Sequence, residues 1–182
     1  MKALFRTERL MVRKFRPEDS GDLAEILTDK AVTYFEPYET FTREACIQEA
    51  KNFSESEEFY AVTLGEKVIG KIYFSKRAHG SYEIGYTFNA AYQGFGYASE
   101  SVSGMMRYAF ERLGARRIIA EVNARNTRSL KLVERLGMRK EAHFREYMPR
   151  KGEAGTYDDL CVFAVLKNER EPLKTGLKRE NG

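Results

Sequence analysis

Tyr82-Glu83-Ile84-Gly85-Tyr86-Thr87-Phe88 leads through Asn89 to Tyr92 into Gln93-Gly94-Phe95-Gly96-Tyr97-Ala98. The first seven residues have the aromatic and β-branched content of a strand. From Tyr97 the period changes. Ala98, Val102, Met105, Ala109 and Leu113 share one face of a long helix, and Gly114 ends it. A strand therefore runs through a short loop into a glycine-spaced turn that opens a helix. The first N–H groups of a helix lack intrahelical acceptors and carry the positive end of its dipole. Glycines at such a turn permit positive φ and let a ligand approach the backbone. Together these features suit a pyrophosphate. A glycine-bearing turn with no ligand fits the same six residues. A G-x-G-x-x-G dinucleotide turn fits less well, because its third glycine would fall at Ser99. A Walker-type loop fails because no Gly-Lys-Ser/Thr follows.

Working outward, Phe59 to Leu64 and Val68 to Phe74 read as two strands joined by a tight turn at Gly65-Glu66-Lys67. Arg9 to Phe15 reads as an opening strand with Leu10, Val12 and Lys14 on one face. Pro17-Glu18-Asp19 starts a helix striped by Leu23, Ile26 and Leu27, and Thr42 caps a second that runs to Phe53. Downstream, Arg117 to Val122 is a short apolar strand, Asn126 to Leu136 a helix closed by Gly137, and Glu141 to Tyr147 and Tyr157 to Leu166 two last strands. Antiparallel hairpins followed by a β-α-β unit predict an α/β (α+β) fold. Its core is a single mixed, mostly antiparallel seven-stranded sheet with helices on both faces.

A chain of 182 residues fits one domain, expected over residues 1–168, with a charged tail at 169–182 expected to fray. The hydrophobic fraction of 42% and charged fraction of 32% place it among soluble globular proteins. No apolar run approaches the ~20 residues of a membrane span, and Met1 to Arg6 lacks the apolar stretch of a signal peptide. A cytoplasmic protein without a membrane partner is expected. Cys46 and Cys161 stand far apart in apolar contexts and read as reduced thiols. His79 and His143 are isolated, so no metal site is expected. The net charge of +4 is spread over short basic clusters interrupted by acids. That pattern suits a solvated surface or a polyanionic small ligand better than nucleic acid.

Gln93-Gly94-Phe95-Gly96-Tyr97-Ala98 resembles the Q/R-x-x-G-x-G/A signature of the GNAT superfamily of CoA-dependent N-acetyltransferases. Three further stretches are similar to its RimJ/RimL-like branch, which includes ribosomal-protein N-terminal acetyltransferases. They are Thr7 to Arg13 with Pro17-Glu18-Asp19, Tyr82 to Tyr86, and Asn126-Thr127-Arg128-Ser129 through Glu134-Arg135-Leu136-Gly137-Met138. In the last, Arg135 stands for the usual Lys and Met138 for the usual Phe. The resemblance spans about Thr7 to Leu166 and implies that the fourth and fifth strands, Ser81 to Phe88 and Arg117 to Val122, splay apart.

The resemblance also implies a cosubstrate, acetyl-CoA, and an amine acceptor, either a protein N-terminus or a small molecule. The pantetheine arm is expected along Tyr86, Thr87 and Phe88. The diphosphate is expected at Gly94, Phe95, Gly96, Tyr97, Ala98 and Ser99, with Gln93 at its edge. Asn126 is expected to cap its helix and reach the pantetheine. Many family members place a tyrosine donor where this chain has Val133, so that role does not transfer. The branch points instead to Ser129, whose hydroxyl could equally bond its own helix backbone. For the base, Glu83 is favoured, with Glu121, Glu146 or a water chain as rivals; an exposed strand position also explains Glu83. Dimers occur in the branch, and a homodimer is possible here. A non-catalytic acyl-CoA sensor is the alternative class.

Overall fold

The computed structural model describes residues 3–169. The expected tail lies, beyond Glu169, outside the described residues. The strands are β1 (Phe5–Arg6), β2 (Met11–Lys14), β3 (Phe59–Leu64), β4 (Lys67–Lys76), β5 (Ser81–Phe88), β6 (Arg117–Asn123), β7 (Arg139–Pro149) and β8 (Tyr157–Leu166). The helices are α1 (Ser20–Leu27), α2 (Lys30–Thr33), α3 (Arg43–Glu55), α4 (Tyr97–Arg112) and α5 (Thr127–Arg135). One sheet carries all eight strands in the order β1-β2-β3-β4-β5-β6-β8-β7. Every pairing is antiparallel except β5 with β6.

The count of eight corrects the expected seven. The extra strand is the two-residue β1, too short to leave a periodic signal. Packing holds it: a Cβ on Gly104 of α4 would lie 2.5 Å from the Phe5 ring, so glycine is what lets β1 settle on α4. The opening strand and first helix are shorter than their sequence pattern. A 3-10 turn at Pro17–Asp19 precedes α1, and the separate α2 follows it. Asp29 caps α2 by accepting from the N–H groups of Ala31 and Val32.

Two cores face away from each other across the sheet. On one side Val102, Met105, Met106, Ala109 and Phe110 of α4 pack on Tyr82, Ile84 and Phe88 of β5 and Ile118, Ala120 and Val122 of β6. On the other, Leu23, Ile26 and Leu27 of α1 and Cys46, Ala50 and Phe53 of α3 pack on Phe15, Ala61 and Val68. Each large apolar side chain so buried contributes about 1.5–3 kcal/mol. Both helix layers are therefore fixed without help from the loops, which leaves the ends of β5 and β6 free for another task.

Leu10 and Val12 enter the first core as their spacing implies. Arg13, on the opposite face, is also buried, at 2% exposure. Its Nη1 and Nη2 donate to the two carboxylate oxygens of Asp19 at 2.6 and 2.8 Å, and Asp19 also accepts from the Arg16 N–H. Breaking one side of a buried pair leaves the other charge without a partner. Asp19→Ala is accordingly expected to cost about 3–5 kcal/mol, read as a lower urea midpoint with an unchanged slope. A loss under about 1 kcal/mol, the scale of a surface pair, would show that this pair does not hold the corner between β2 and α1.

Candidate active site

β5 and β6 run parallel and pair only at Ser81–Arg117, Tyr82–Ile118 and Glu83–Ile119. Beyond that point they part. β5 stays paired with β4 as far as Phe88, and β6 stays paired with β8 as far as Asn123. The β6-facing backbone groups between Ile84 and Thr87 thus lack a strand partner, and buried backbone groups in that state need one from elsewhere. The expected splay is present.

The glycine turn sits at the mouth of this gap. Gly94 and Gly96 adopt φ of 87° and 82°, and Gly96 caps α4 in the left-handed region without a side-chain cap. Among the described residues, the N–H groups of Gly94 through Ser99 have no protein acceptor, and the α4 ladder begins with Glu100 N–H donating to Gly96 O at 3.0 Å. Side chains fix the turn from both sides. Gln93 Nε2 donates to the Phe88 carbonyl at 3.0 Å, tying the turn to the end of β5. Arg9 Nη1 donates to the Phe95 carbonyl at 3.1 Å while its Nε donates to Glu100 at 2.6 Å. The Arg9 guanidinium lies 4.6 Å over the Tyr97 ring, and Phe95, beside that ring, is exposed.

From α5, Arg128 donates to Gln93 Oε1 at 2.5 Å, and Arg135 reaches the Ser99 hydroxyl at 3.4 Å. Three guanidinium groups therefore surround six unpartnered amides and the positive end of a 16-residue helix. Sequence reading missed all three, because residues 9, 128 and 135 are brought together only by the fold. The signal available was that all three lie in the stretches Thr7 to Arg13 and Asn126 through Met138 that carry the resemblance.

Ser129 and Asn126 stand on the α4 side of the sheet. Asn126 Oδ1 accepts from the Ser129 N–H at 3.1 Å, so Asn126 is the α5 cap. The Ser129 Oγ lies 2.8 Å from the Tyr86 hydroxyl, across the gap from β5. Val133 is fully buried in the core.

The carboxylates lie on the other side. Glu83 and Glu121 share a face of β5 and β6, opposite the core positions Tyr82, Ile84, Ala120 and Val122. Glu83 accepts from Arg77 Nε at 2.9 Å and from Arg77 Nη2 at 2.7 Å. Glu121 is two residues past the last β5–β6 pair. Burial pushes its carboxyl above the ordinary range, the Glu83 charge pushes the same way, and Arg77 opposes both. Glu146, the third sequence candidate, lies at a bulge of the outer strand β7 with φ of 48°, and β8 separates it from the gap.

Above this face, Thr87 donates to Glu36 at 2.9 Å and the buried Lys71 ammonium lies 3.6 Å from the same carboxylate. Lys151, from the loop between β7 and β8, donates to the carbonyls of Thr33 and Tyr38. Asp158 gathers Asn123, Arg150 and Arg125. The α2–α3 loop and the β7–β8 loop are thus strapped together over the carboxylate side. Cys46 and Cys161 are free and buried, away from these groups.

A mixed sheet opened at its one parallel pair, with a bare helix start at the opening, is the architecture of an N-acyltransferase. The chain belongs to the GNAT acetyltransferase family: the acetyltransferase (GNAT) domain matches residues 9–139. It is 34% identical over 167 residues to the uncharacterized N-acetyltransferase YnaD of Bacillus subtilis (strain 168), covering 90% of this chain and 96% of that one. A crystal structure of a GNAT-family acetyltransferase from Bacillus anthracis superposes with a TM-score of 0.84 at 30% identity, covering 90% of this chain and 98% of that one. RimL, a ribosomal-protein α-N-acetyltransferase solved in complex with coenzyme A, shares the fold with a TM-score of 0.79 at 17% identity, covering 91% of this chain and 98% of that one.

An added Cβ on Gly96 would meet nothing nearer than Arg9 Nη2 at 3.5 Å, an ordinary contact. Conformation, not crowding, is therefore the cost of a side chain there. Gly96→Ala is expected to lower stability by about 1–2 kcal/mol from the left-handed φ alone, seen as a reduced calorimetric Tm. An unchanged Tm would mean that the turn relaxes and that glycine is not needed for its shape.

Proposed function

We propose that the protein transfers acetyl from acetyl-CoA to a primary amine by direct attack in a ternary complex. The observation that carries this reading is the set of unpartnered amides from Gly94 to Ser99 at the mouth of the β5–β6 gap. They suit a diphosphate, and Arg9, Arg128 and Arg135 add the matching charge. Gln93, Phe95, Tyr97 and Ala98 frame the cradle. The β6-facing backbone from Tyr86 through Thr87 to the Phe88 N–H, short of the Phe88 carbonyl that Gln93 holds, can pair with the pantetheine amides as an added strand would, and Asn126 lies within reach of the same arm. Acetyl-CoA supplies the acyl group already activated as a thioester.

An amine at neutral pH is mostly protonated and needs a base before it can attack. We assign that proton to Glu121, with Glu83 as the neighbouring carboxylate that raises its proton affinity. The Arg77 ion pair supports this division of the two: its guanidinium is occupied by Glu83, whereas the Glu121 carboxyl is raised by partial burial and by the Glu83 charge. Ser129, on the opposite side of the sheet, serves as hydrogen-bond donor to the departing sulfur. The strap through Lys151 restricts the acceptor side. It favours an amine presented end-on, as a peptide N-terminus or small molecule presents it.

A thiol-release screen over peptides with varied first residues and over small amines tests the activity. CoA binding with no release across that panel would favour a non-catalytic sensor. Gly96→Val is expected to abolish CoA binding by filling the cradle.

Glu121→Gln is expected to lower kcat by about 100-fold or more with acetyl-CoA KM unchanged. The raised carboxyl favours folding below its unfolded pKa, and that contribution is lost as pH rises through its folded pKa. The same variant should therefore show a slightly higher Tm at neutral pH and none of that gain in acid; the effect is small because Glu121 is exposed. Undiminished turnover would remove Glu121 from the role and return it to Glu83.

A further inference from the structure

We infer that Tyr86 is a positioning residue for the Ser129 hydroxyl, its phenol setting the direction in which that hydroxyl donates across the β5–β6 gap. The inference deepens the proposed acetyl transfer and rests on it. Hydroxyls on helices usually turn back to a carbonyl of the preceding turn. Ser54 donates to the Lys51 carbonyl at 2.7 Å, Ser101 to Tyr97 at 2.8 Å, Thr28 to Ala24 at 2.8 Å and Thr33 to Asp29 at 2.9 Å. Ser129 does otherwise. Its N–H is taken by Asn126, and its Oγ meets the Tyr86 hydroxyl at 2.8 Å.

The bond is assigned Tyr86 as its donor. The single phenol proton can serve either the Ser129 Oγ at 2.8 Å or the Ser129 carbonyl at 3.4 Å, and the hydroxyl is much the nearer. Burial pushes the Tyr86 phenol up to about 12, the charge of Glu36 on the α2–α3 loop adds to this, and the Ser129 bond opposes it. The phenol therefore keeps its proton at neutral pH and remains a donor. A serine hydroxyl has one proton and two lone pairs. With one lone pair engaged by Tyr86, the Ser129 proton is left to point at a third atom.

In acetyl transfer that atom is the departing sulfur. The amine nitrogen bonds to the thioester carbon, the C–S bond breaks with its electron pair going to sulfur, and the proton lost from nitrogen goes to Glu121. The Ser129 O–H donates a hydrogen bond to the thiolate, and Tyr86 gives up no proton. A lone serine rotor would pay to stop rotating at that moment; one already held by Tyr86 would not.

The test needs no acceptor. CoA itself is bound to the parent protein, Tyr86→Phe, Ser129→Ala and the double variant. Affinity is read by calorimetry, and ionisation of the bound thiol by its S–H Raman band against pH. Each single variant is expected to raise the pKa of the bound thiol by about one unit, the worth of one hydrogen bond, with CoA affinity for the protonated thiol unchanged. The double variant is expected to match Ser129→Ala, because the two groups act as a unit. Tyr86→Phe titrating like the parent, or adding its effect to that of Ser129→Ala, would overturn the inference. So would a Tyr86→Phe variant whose only defects are a lower Tm and weaker CoA binding, since that is the mark of a structural cross-link. Failure of the parent to bind CoA at all would overturn the proposed function, and this inference with it.

Discussion

The parting of β5 from β6 after three residue pairs is the constraint on which the site depends. Each strand remains tied to its other neighbour, so neither can close the gap by shifting. The unpaired backbone of β5 is left as a row of donors and acceptors. A sheet interior is a costly place for such groups, and an extended ligand with amides of its own can satisfy them. The opening also gives access to both faces of the sheet. Ser129 stands on one side and the carboxylates on the other, so a thioester threaded through the gap could be met by a donor and a base from opposite directions.

Charge is distributed to suit that division. Arg9, Arg128 and Arg135 converge on the α4 side, where Glu100 holds Arg9 in place by accepting its Nε at 2.6 Å. On the other side Glu83 and Glu121 share one face, and Arg77 forms its ion pair with Glu83. A carboxyl beside a second carboxylate holds its proton more readily, as the raised Glu121 carboxyl does beside Glu83.

Much of the fold was legible in the chain. The change from period two to period 3.6 between Phe88 and Tyr97 marks the end of β5 and the start of α4 within a residue or two. Gly114 and Gly137, both at positive φ, stand just past the helices they were expected to end. What escaped were short elements held by distant contacts. β1 exists because Phe5 fits over Gly104, and α2 because Asp29 caps a four-residue helix. The bulges of β7 at Lys140 to Ala142 and Phe144 to Met148 displace Glu146, and nothing in the local pattern encodes them.

Local chemistry thus dictated the helix start with its free amides, the Asn126 cap and the order of strands, because each depends on residues a few positions apart. It could not rank Glu83 against Glu121, since that depends on which of them pairs with Arg77 and on β5 and β6 lying side by side. Nor could it reveal that residues 86 and 129 share a hydrogen bond, or that three arginines meet at one turn. Those pairings span 35 to 86 positions of sequence, from Gln93–Arg128 to Arg9–Phe95. Only packing both helix layers onto one sheet brings such groups within bonding distance.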